Sequence, residues 1–206
     1  MKKIVLVLAV LATSVLAYSP PHTHSGFFLN IALGMGIQSF DYKYNSSSDN
    51  ITLEAEGPSV DFDFKVGGCV AQNLAIHGTL VTSNNLSDIE VTVNDKTETV
   101  PDVSEHMILI GAGMTFYFAG NMLVTGSLGL SRFTVNKDDS DSDDDDIGSS
   151  EFGFGFQMGF GKEWWIGGSW GMGILGTLLY GSADDKDNLG DMSAFAMGVK
   201  FSVTFN

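Results

Sequence analysis

The sequence predicts an all-β fold, an eight-stranded antiparallel up-and-down transmembrane β-barrel. Three observations lead to this prediction. Segments of about ten residues alternate large apolar with small or polar side chains, tight turns alternate with long polar loops, and few charges fall inside the segments. A strand places successive side chains on opposite faces, and a tilted strand of ~9–11 residues spans a bilayer. Eight such segments therefore predict a closed barrel with one lipid-facing surface.

The clearest segment is Phe152–Gly161. Its phenylalanine and methionine side chains share one face, whereas its glycines and Gln157 share the other. Glycine weakens a strand and contributes no packing, so a soluble sheet would rarely carry so much of it on an outer face. We therefore expect the bare face to line a narrow lumen and the aromatic face to contact lipid.

The other segments follow with the same alternation. The predicted strands cover about 26–39, 60–69, 74–81, 108–118, 122–131, 152–160, 164–174 and 194–205. Tight turns are predicted at residues 71–73, 119–121 and 161–163, and extracellular loops at about 41–58, 83–105, 136–150 and 181–191. An even number of strands returns both ends to one side, and short turns indicate that this side is periplasmic.

Residues 1–17 are typical of a secretory signal peptide. A basic start precedes the apolar run 4–11, and Val15-Leu-Ala17 supplies small residues at the expected cleavage site. The apolar run is too short for a spanning helix. We predict export, cleavage after Ala17, and a mature barrel domain of residues 18–206 in the bacterial outer membrane.

The chain is strongly acidic, with a formal net charge of −15. Loss of Lys2 and Lys3 with the signal peptide would make the mature chain still more negative. A surface of this charge excludes electrostatic binding of nucleic acid. Cys69 is the single cysteine, so no intramolecular disulfide can form.

The signal peptide, eight strands, tight turns, long polar loops and the final strand Met197–Phe205 resemble the OmpA/OmpX-like small outer-membrane barrels of Gram-negative bacteria. The resemblance implies a monomer that contacts outer-membrane lipid and lipopolysaccharide and is inserted by the barrel-assembly machinery. It implies no cofactor and no metal. Those barrels commonly end in an aromatic residue, whereas Asn206 follows Phe205 here.

Charged residues predicted to face the lumen form the sharpest candidate site. They are Asp61, Asp63, Lys65 and Lys200. The second and eighth strands, which carry them, flank the first strand in a closed barrel, so we expect these side chains to lie close together. An isolated buried charge is costly, which favours a structural ion-pair network. The alternative is a gate or selectivity filter in a narrow pore.

Residues 137–146 are the most acidic stretch. Three alternate aspartates fit the first ligand positions of a calcium loop, but Asp144 stands where the loop needs glycine and Ser150 where it needs glutamate. We interpret the stretch as a solvated acidic loop, and the alternative is a loop that binds divalent cations loosely. The candidate ligands are Asp139, Asp141, Asp143 and Asp145.

No catalysis is expected. The lipid A deacylases that resemble this architecture use a His-x-Ser pair, whereas the nearest match here, His77-Gly-Thr79, has threonine and faces the lumen in the predicted register. His22 and His24 are interpreted as incidental residues of an extended lead-in to the first strand, rather than as metal ligands.

These observations predict a non-enzymatic surface protein. The barrel would anchor acidic loops that contact lipopolysaccharide, host or partner molecules. The alternative is a channel for small solutes or hydrophobic molecules, as in the OmpW-like families of this size. The loops are acidic and rich in serine and asparagine, and this composition identifies no ligand.

Overall fold

A computed structural model describes residues 22–45, 50–93, 96–100, 103–137, 146–186 and 190–206. The predicted signal peptide, residues 1–17, lies outside these ranges. So do the divalent-cation candidates Asp139, Asp141, Asp143 and Asp145. Within the described ranges, no helix is long and apolar enough to cross a membrane.

Strands make up most of the described chain. They are β1 (Gly26–Asn45), β2 (Asn50–Ala71), β3 (Leu74–Asn85), β4 (Ile89–Val93), β5 (Lys96–Val100), β6 (Val103–Phe118), β7 (Met122–Lys137), β8 (Asp146–Ser149), β9 (Gly153–Trp165), β10 (Trp170–Asp184) and β11 (Gly190–Phe205). The short strands β4, β5 and β8 are additions, and the other eight strands form the barrel wall.

The wall strands close into a ring. Their order is β1-β11-β10-β9-β7-β6-β3-β2, β2 pairs again with β1, and each neighbouring pair is antiparallel. Within the span of the wall, closure gives each strand a partner on both sides, as hydrocarbon requires. The predicted eight-stranded antiparallel barrel is confirmed.

Apolar side chains point away from the barrel axis, and the alternate positions are buried, as the sequence pattern predicted. On β1, Leu33 is 60% exposed and Met35 is 66% exposed, whereas Ala32 and Gln38 are buried. An apolar surface of this extent marks a membrane interaction site. We call these outward residues the apolar belt. Its members include Ile31, Leu33, Met35, Ile37, Ile76, Ile110, Met114, Val124, Leu128, Leu130, Phe154, Met158, Ile174, Leu178, Val199 and Phe201.

Tight connections lie at one end of the barrel. Residues 72–73 join β2 to β3, and the 3₁₀ turn Ala119–Asn121 joins β6 to β7. Asn73, Gly120 and Asn121 adopt positive φ angles of 66°, 74° and 57°. Glycine and asparagine tolerate this left-handed conformation better than other residues do. Both turns therefore lie where the sequence predicted them.

The third predicted turn, residues 161–163, is wrong. These residues continue β9, and Glu163 pairs with Gly173 of β10. The chain reverses at residues 166–169 instead, where the amide of Ile166 donates to the carbonyl oxygen of Trp170 over 2.9 Å. A Gly-Gly dipeptide is a strong turn signal, and the sequence has one at 167–168. Glu163 therefore points into the barrel, where it is buried.

At the opposite end the strands continue past the apolar belt. β1 and β2 stay paired as far as Asn45 and Asn50, and β4 and β5 add a hairpin beside β2. We call residues 40–45, 50–58, 89–93 and 96–100 the protruding sheet. Much of each segment assigned to an extracellular loop is thus strand, because the strand ladders extend beyond the membrane band.

The end of the extracellular loop predicted at 41–58 is therefore wrong, since Gly57 and Pro58 lie in β2. Proline lacks an amide hydrogen and is confined to places where a strand needs no donor. Pairing of β2 with β3 begins only at Ser59, and beyond it the carbonyl oxygen of Pro58 accepts from Leu86 over 2.9 Å. The missing amide of Pro58 faces this side, where the ladder has already ended.

An apolar core fills the barrel beneath the protruding sheet. Its largest buried members are Phe40, Val81, Ile89, Met107, Leu109, Phe133 and Leu179. The lumen is thus polar in the middle of the belt and apolar above it, and a second apolar cluster that includes Phe28, Leu123 and Leu175 lies towards the turn end. The sequence reasoning missed this division.

The depth of the apolar belt can be tested on one face of one strand. Leu33→Arg places a charge in the middle of the belt and is expected to cost ~2–4 kcal/mol of folding free energy, whereas Ser39→Arg at its edge should cost ~0–1 kcal/mol. The two sites are six residues, or roughly 20 Å, apart along β1. Unfolding titrations in lipid vesicles measure both costs. Equal costs would contradict the assignment of the belt.

Candidate functional site in the barrel lumen

The structure brings the four charged residues predicted for the lumen together. Asp61, Asp63 and Lys65 alternate along β2, and Lys200 reaches them from β11 across β1. Gly34 of β1 pairs with both Asp61 and Lys200, and a Cβ at Gly34 would lie 2.6 Å from the Lys200 Cγ. The missing side chain at this position is what allows Lys200 to cross.

The cluster contains two acids and two bases, each at most 2% exposed. The Lys200 Nζ lies 2.6 Å from the Asp63 Oδ1 and 3.7 Å from the Asp61 Oδ2. The Lys65 Nζ lies 3.3 Å from the Asp63 Oδ2. Buried ions need both a counter-ion and further hydrogen bonds to offset desolvation. Asp63 has both cations within reach.

Neutral side chains complete the coordination of the two aspartates. The Gln157 Nε2 donates to both carboxylate oxygens of Asp63 at 3.0 Å. β9, which carries Gln157, lies diametrically opposite β2 in the eight-strand ring. The Ser83 Oγ lies 2.7 Å from the Asp61 Oδ1. The contact between Gln157 and Asp63 therefore spans the lumen at its full width.

A second network, made of hydroxyl groups, surrounds His77. Its Nδ1 lies 2.9 Å from the Thr79 Oγ1, and its Nε2 lies 3.1 Å from the Thr115 Oγ1. Thr79 continues to Ser127, and Thr115 continues to Thr125, each over 2.9 Å. A hydrolytic triad needs an acid that orients the histidine, whereas both described ring-nitrogen contacts are threonines. His77 and Thr79 face the lumen, as predicted.

Glu105 is a lumen residue that the sequence reasoning missed. It was assigned to an extracellular loop, yet it is 1% exposed, and its Oε2 accepts a hydrogen bond from Gln38. Its Oε1 is buried without a partner among the described residues. The neighbouring inward positions, Met107 and Leu109, are apolar, so the polar-in alternation that identified the other strands is absent here.

His24 closes the turn end of the barrel. It was interpreted as incidental, but its ring is 3% exposed and stacks on Tyr117 with ring centroids 3.4 Å apart. Trp165 lies on it at 4.9 Å, and the Asn121 Oδ1 is 3.5 Å from its Nε2. Burial lowers the pKa of His24, although its hydrogen bond to Asn121 opposes the shift. The residue therefore acts as a neutral aromatic stopper.

A small cavity lies within this polar region. A cavity of about 10 Å³ lies among Asn30, Lys65, Thr115, Tyr117 and Thr125. That is about one water molecule. Eight strands enclose an interior just wide enough for side chains to fill, and here they largely fill it.

A larger crevice lies at the base of the protruding sheet, with a volume of about 400 Å³. Its carboxylates are Asp41, Glu54, Glu56, Asp88 and Glu90. Asp41 pairs with Glu54 across the strands, and Glu54 pairs with Glu90. Among the described side chains, no three acidic, histidine or cysteine groups converge as a metal site. We call Asp41, Glu54 and Glu90 the acidic row.

The sequence of the chain matches a known family over nearly its whole length. Residues 4–205 match the outer membrane protein beta-barrel domain family. The chain belongs to this family. The resemblance to small outer-membrane barrels is thereby confirmed, and the apolar belt is the surface that meets outer-membrane lipid. No sequence among the curated proteins matches the chain.

Solved outer-membrane barrels resemble the chain at low sequence identity. The outer membrane protease OmpT from Escherichia coli has 8% identity and a TM-score of 0.50, covering 93% of this chain and 99% of its own. OprG from Pseudomonas aeruginosa has 12% identity and a TM-score of 0.50, covering 89% and 98%. The attachment invasion locus protein Ail of Yersinia pestis, in complex with a heparin analogue, has 9% identity and a TM-score of 0.44, covering 85% and 98%. At these identities, a shared fold is all that the first two indicate.

The ion pair between Asp63 and Lys200 can be tested with a double-mutant cycle. Asp63→Asn or Lys200→Met alone leaves an uncompensated buried charge and should cost ~3–5 kcal/mol. The double variant restores neutrality and is expected to cost about 2–3 kcal/mol less than the sum of the two. Denaturant titrations in vesicles give the unfolding free energies.

The matched control is the neutral pair Thr115→Val and Thr125→Val in the same lumen. Its coupling energy should be only about 1 kcal/mol, the net value of a neutral hydrogen bond. For the charged pair, the cost of the double variant could instead equal the sum of the two single costs to within about 0.5 kcal/mol. That result would show that Asp63 and Lys200 are energetically independent.

Proposed function

We propose that the protein is a closed, non-catalytic outer-membrane anchor that presents an acidic sheet at the cell surface for interaction with other molecules. The observation that carries this proposal is the filled lumen. A barrel that conducts solutes needs a continuous water-filled path through its lumen, whereas a barrel that only anchors a surface domain does not.

Side chains obstruct the described lumen at successive levels. From the turn end these are the stopper His24, the hydroxyl network around His77, the contact between Gln157 and Asp63, and the apolar core around Phe133. A hydrated ion would have to separate buried ion pairs and then cross an apolar region. Both steps are costly, which supports an anchoring role for the barrel.

The acidic row supports an interaction role for the protruding sheet. Like charges directly opposite each other destabilise a sheet, yet Asp41, Glu54 and Glu90 occupy neighbouring positions on three strands. Glu54 and Glu90 are exposed. A cationic segment of a host or neighbouring protein would relieve their repulsion, and we infer that the partner surface is basic.

Other parts of the predicted role remain predictions. They are cleavage of residues 1–17, insertion by the barrel-assembly machinery, a monomeric state, contact with lipopolysaccharide, and loose divalent-cation binding by the loop that carries Asp139 and Asp143.

Single-channel recording in planar bilayers tests the closed barrel against the channel alternative. The wild-type protein is expected to give no stable conductance steps under conditions in which an open porin does. The reason is that buried side chains obstruct the described lumen at successive levels. Stable steps that change in size with Lys200→Met would make the lumen a pore and overturn the proposal.

A surface-binding measurement tests the acidic sheet. Cells that display Asp41→Asn/Glu90→Gln should bind fluorescent polylysine at low salt about fivefold more weakly than the wild type, since exposed charges each contribute ~0.2–1 kcal/mol. The matched control, Glu151→Gln/Asp184→Asn, removes two exposed carboxylates outside the protruding sheet. If the two double variants lost binding equally, the protein's net charge alone would explain the attraction.

A further inference from the structure

Arg132 is the single arginine of the chain. It lies on the outward face of the barrel wall, where most other residues are apolar. It follows Leu128 and Leu130 on the outward face of β7, and these leucines are 62% and 55% exposed in the apolar belt. Arg132 thus occupies the first position beyond the belt, at the end from which the sheet protrudes. A charge near this edge costs little, whereas one at mid-membrane costs several kcal/mol.

A polar row lies next to Arg132 on the same outward face. Strand pairing places Asn84 beside His106, His106 beside Thr134, and Thr134 beside Ser149. The row thus supplies amide, imidazole and hydroxyl groups across β3, β6, β7 and β8. None of these four side chains carries a negative charge.

Local contacts fix the guanidinium of Arg132. Its Nη2 donates to the Ser149 Oγ over 3.3 Å, and the group lies over the Phe152 ring, 5.7 Å from the centroid. A guanidinium has five N–H donors, and the described hydrogen bond uses one of them. The Arg132 Nε is buried without a partner among the described residues. An unsatisfied buried donor is costly.

Among the described side chains, none of the ion pairs involves Arg132. This is notable in a chain with 25 acidic residues against 10 basic ones. β7 also lies diametrically opposite β1 in the ring, so Arg132 is on the far side of the barrel from the acidic row. An anionic ligand at the membrane edge would be repelled on one side and attracted on the other.

We propose that Arg132, together with Ser149 and the polar row, binds a phosphate group of an outer-leaflet lipid. Guanidinium matches phosphate in a bidentate geometry, and such charge-assisted hydrogen bonds are among the strong ones. A small swing of the side chain would let the Nε join the Nη atoms on the phosphate oxygens. The inference rests on the proposed function only for its orientation, with the protruding sheet outside the cell.

The lipid-facing surface offers a matched control at the other end. Lys162 also points outward, on β9 near the turns, with its Nζ 5.7 Å from the centroid of Trp164. It has an aromatic partner, as Arg132 does, but it lies at the turn end, away from the polar row. Lys162→Gln therefore removes one outward cation without touching the proposed site.

The experiment refolds the full mature chain into phosphatidylcholine vesicles with and without a minor fraction of diphosphorylated lipid A. A ligand that binds the folded state shifts the unfolding equilibrium in proportion to its occupancy. Lipid A should shift the folding equilibrium of the wild type towards the folded state about fivefold or more, because its phosphates occupy the site. The same shift is expected for Lys162→Gln. Arg132→Gln should lose most of this gain, and Arg132→Lys, which keeps the charge without the bidentate geometry, should retain part of it.

A mobility difference between boiled and unboiled samples verifies that each variant folds in phosphatidylcholine alone. An equal gain for Arg132→Gln and the wild type would overturn the proposal. The proposal would also be overturned if Lys162→Gln lost as much of the lipid A effect as Arg132→Gln. That result would indicate a nonspecific attraction of lipid to any outward cation. A further arm adds inorganic phosphate to plain vesicles, and a full gain there would assign the site to soluble phosphate rather than lipid. None of these readouts depends on conductance or polylysine binding, so the proposed function is tested separately.

Discussion

Hydrocarbon offers no hydrogen-bond partner, and this one constraint accounts for most of the molecule. It forces the wall strands to close, because an open edge would leave a row of amides and carbonyls unsatisfied. Closure in turn creates an interior that is shut off from bulk water. Charged groups that face this interior are costly without counter-ions, and the two lysines and two aspartates of the lumen occur in equal number and in contact.

The same constraint explains where glycine is placed. Side chains from neighbouring strands meet inside a narrow ring, and a long lysine can reach its counter-ion only if the strand between them is bare. Gly34 provides this gap between β2 and β11. The glycines of β9 work in the same way, since Gly155 lies where a Cβ would approach Leu109 to 2.6 Å. The bare face that first indicated a lumen is therefore the space into which other strands extend their side chains.

The sequence predicted the wall well and the ends poorly, for a physical reason. Within the membrane, lipid enforces strict alternation, so the faces of β1, β2 and β7 could be assigned residue by residue. Above the belt the outward face meets water and inward residues such as Met107 and Leu109 are apolar, so the alternation that would have identified Glu105 as an inward residue is lost. At the other end, the burial of His24 depends on Tyr117 and Trp165, which are distant in sequence. Hydrophobic periodicity carries no information about such contacts.

The pairing of β1 with β11 that closes the ring also determines how exposed the chain is before it folds in the membrane. The first and last wall strands pair over Leu29–Phe205 to Tyr44–Gly190, so the ring cannot close until the entire polypeptide has been made. Contacts so distant in sequence form slowly. Until then both terminal strands present free edges, and the belt that will later stabilise the inserted protein is exposed to water. Free edges and exposed apolar surface are the features that make chains aggregate. The physical properties that hold the barrel in lipid thus make the unfolded chain prone to aggregate in water.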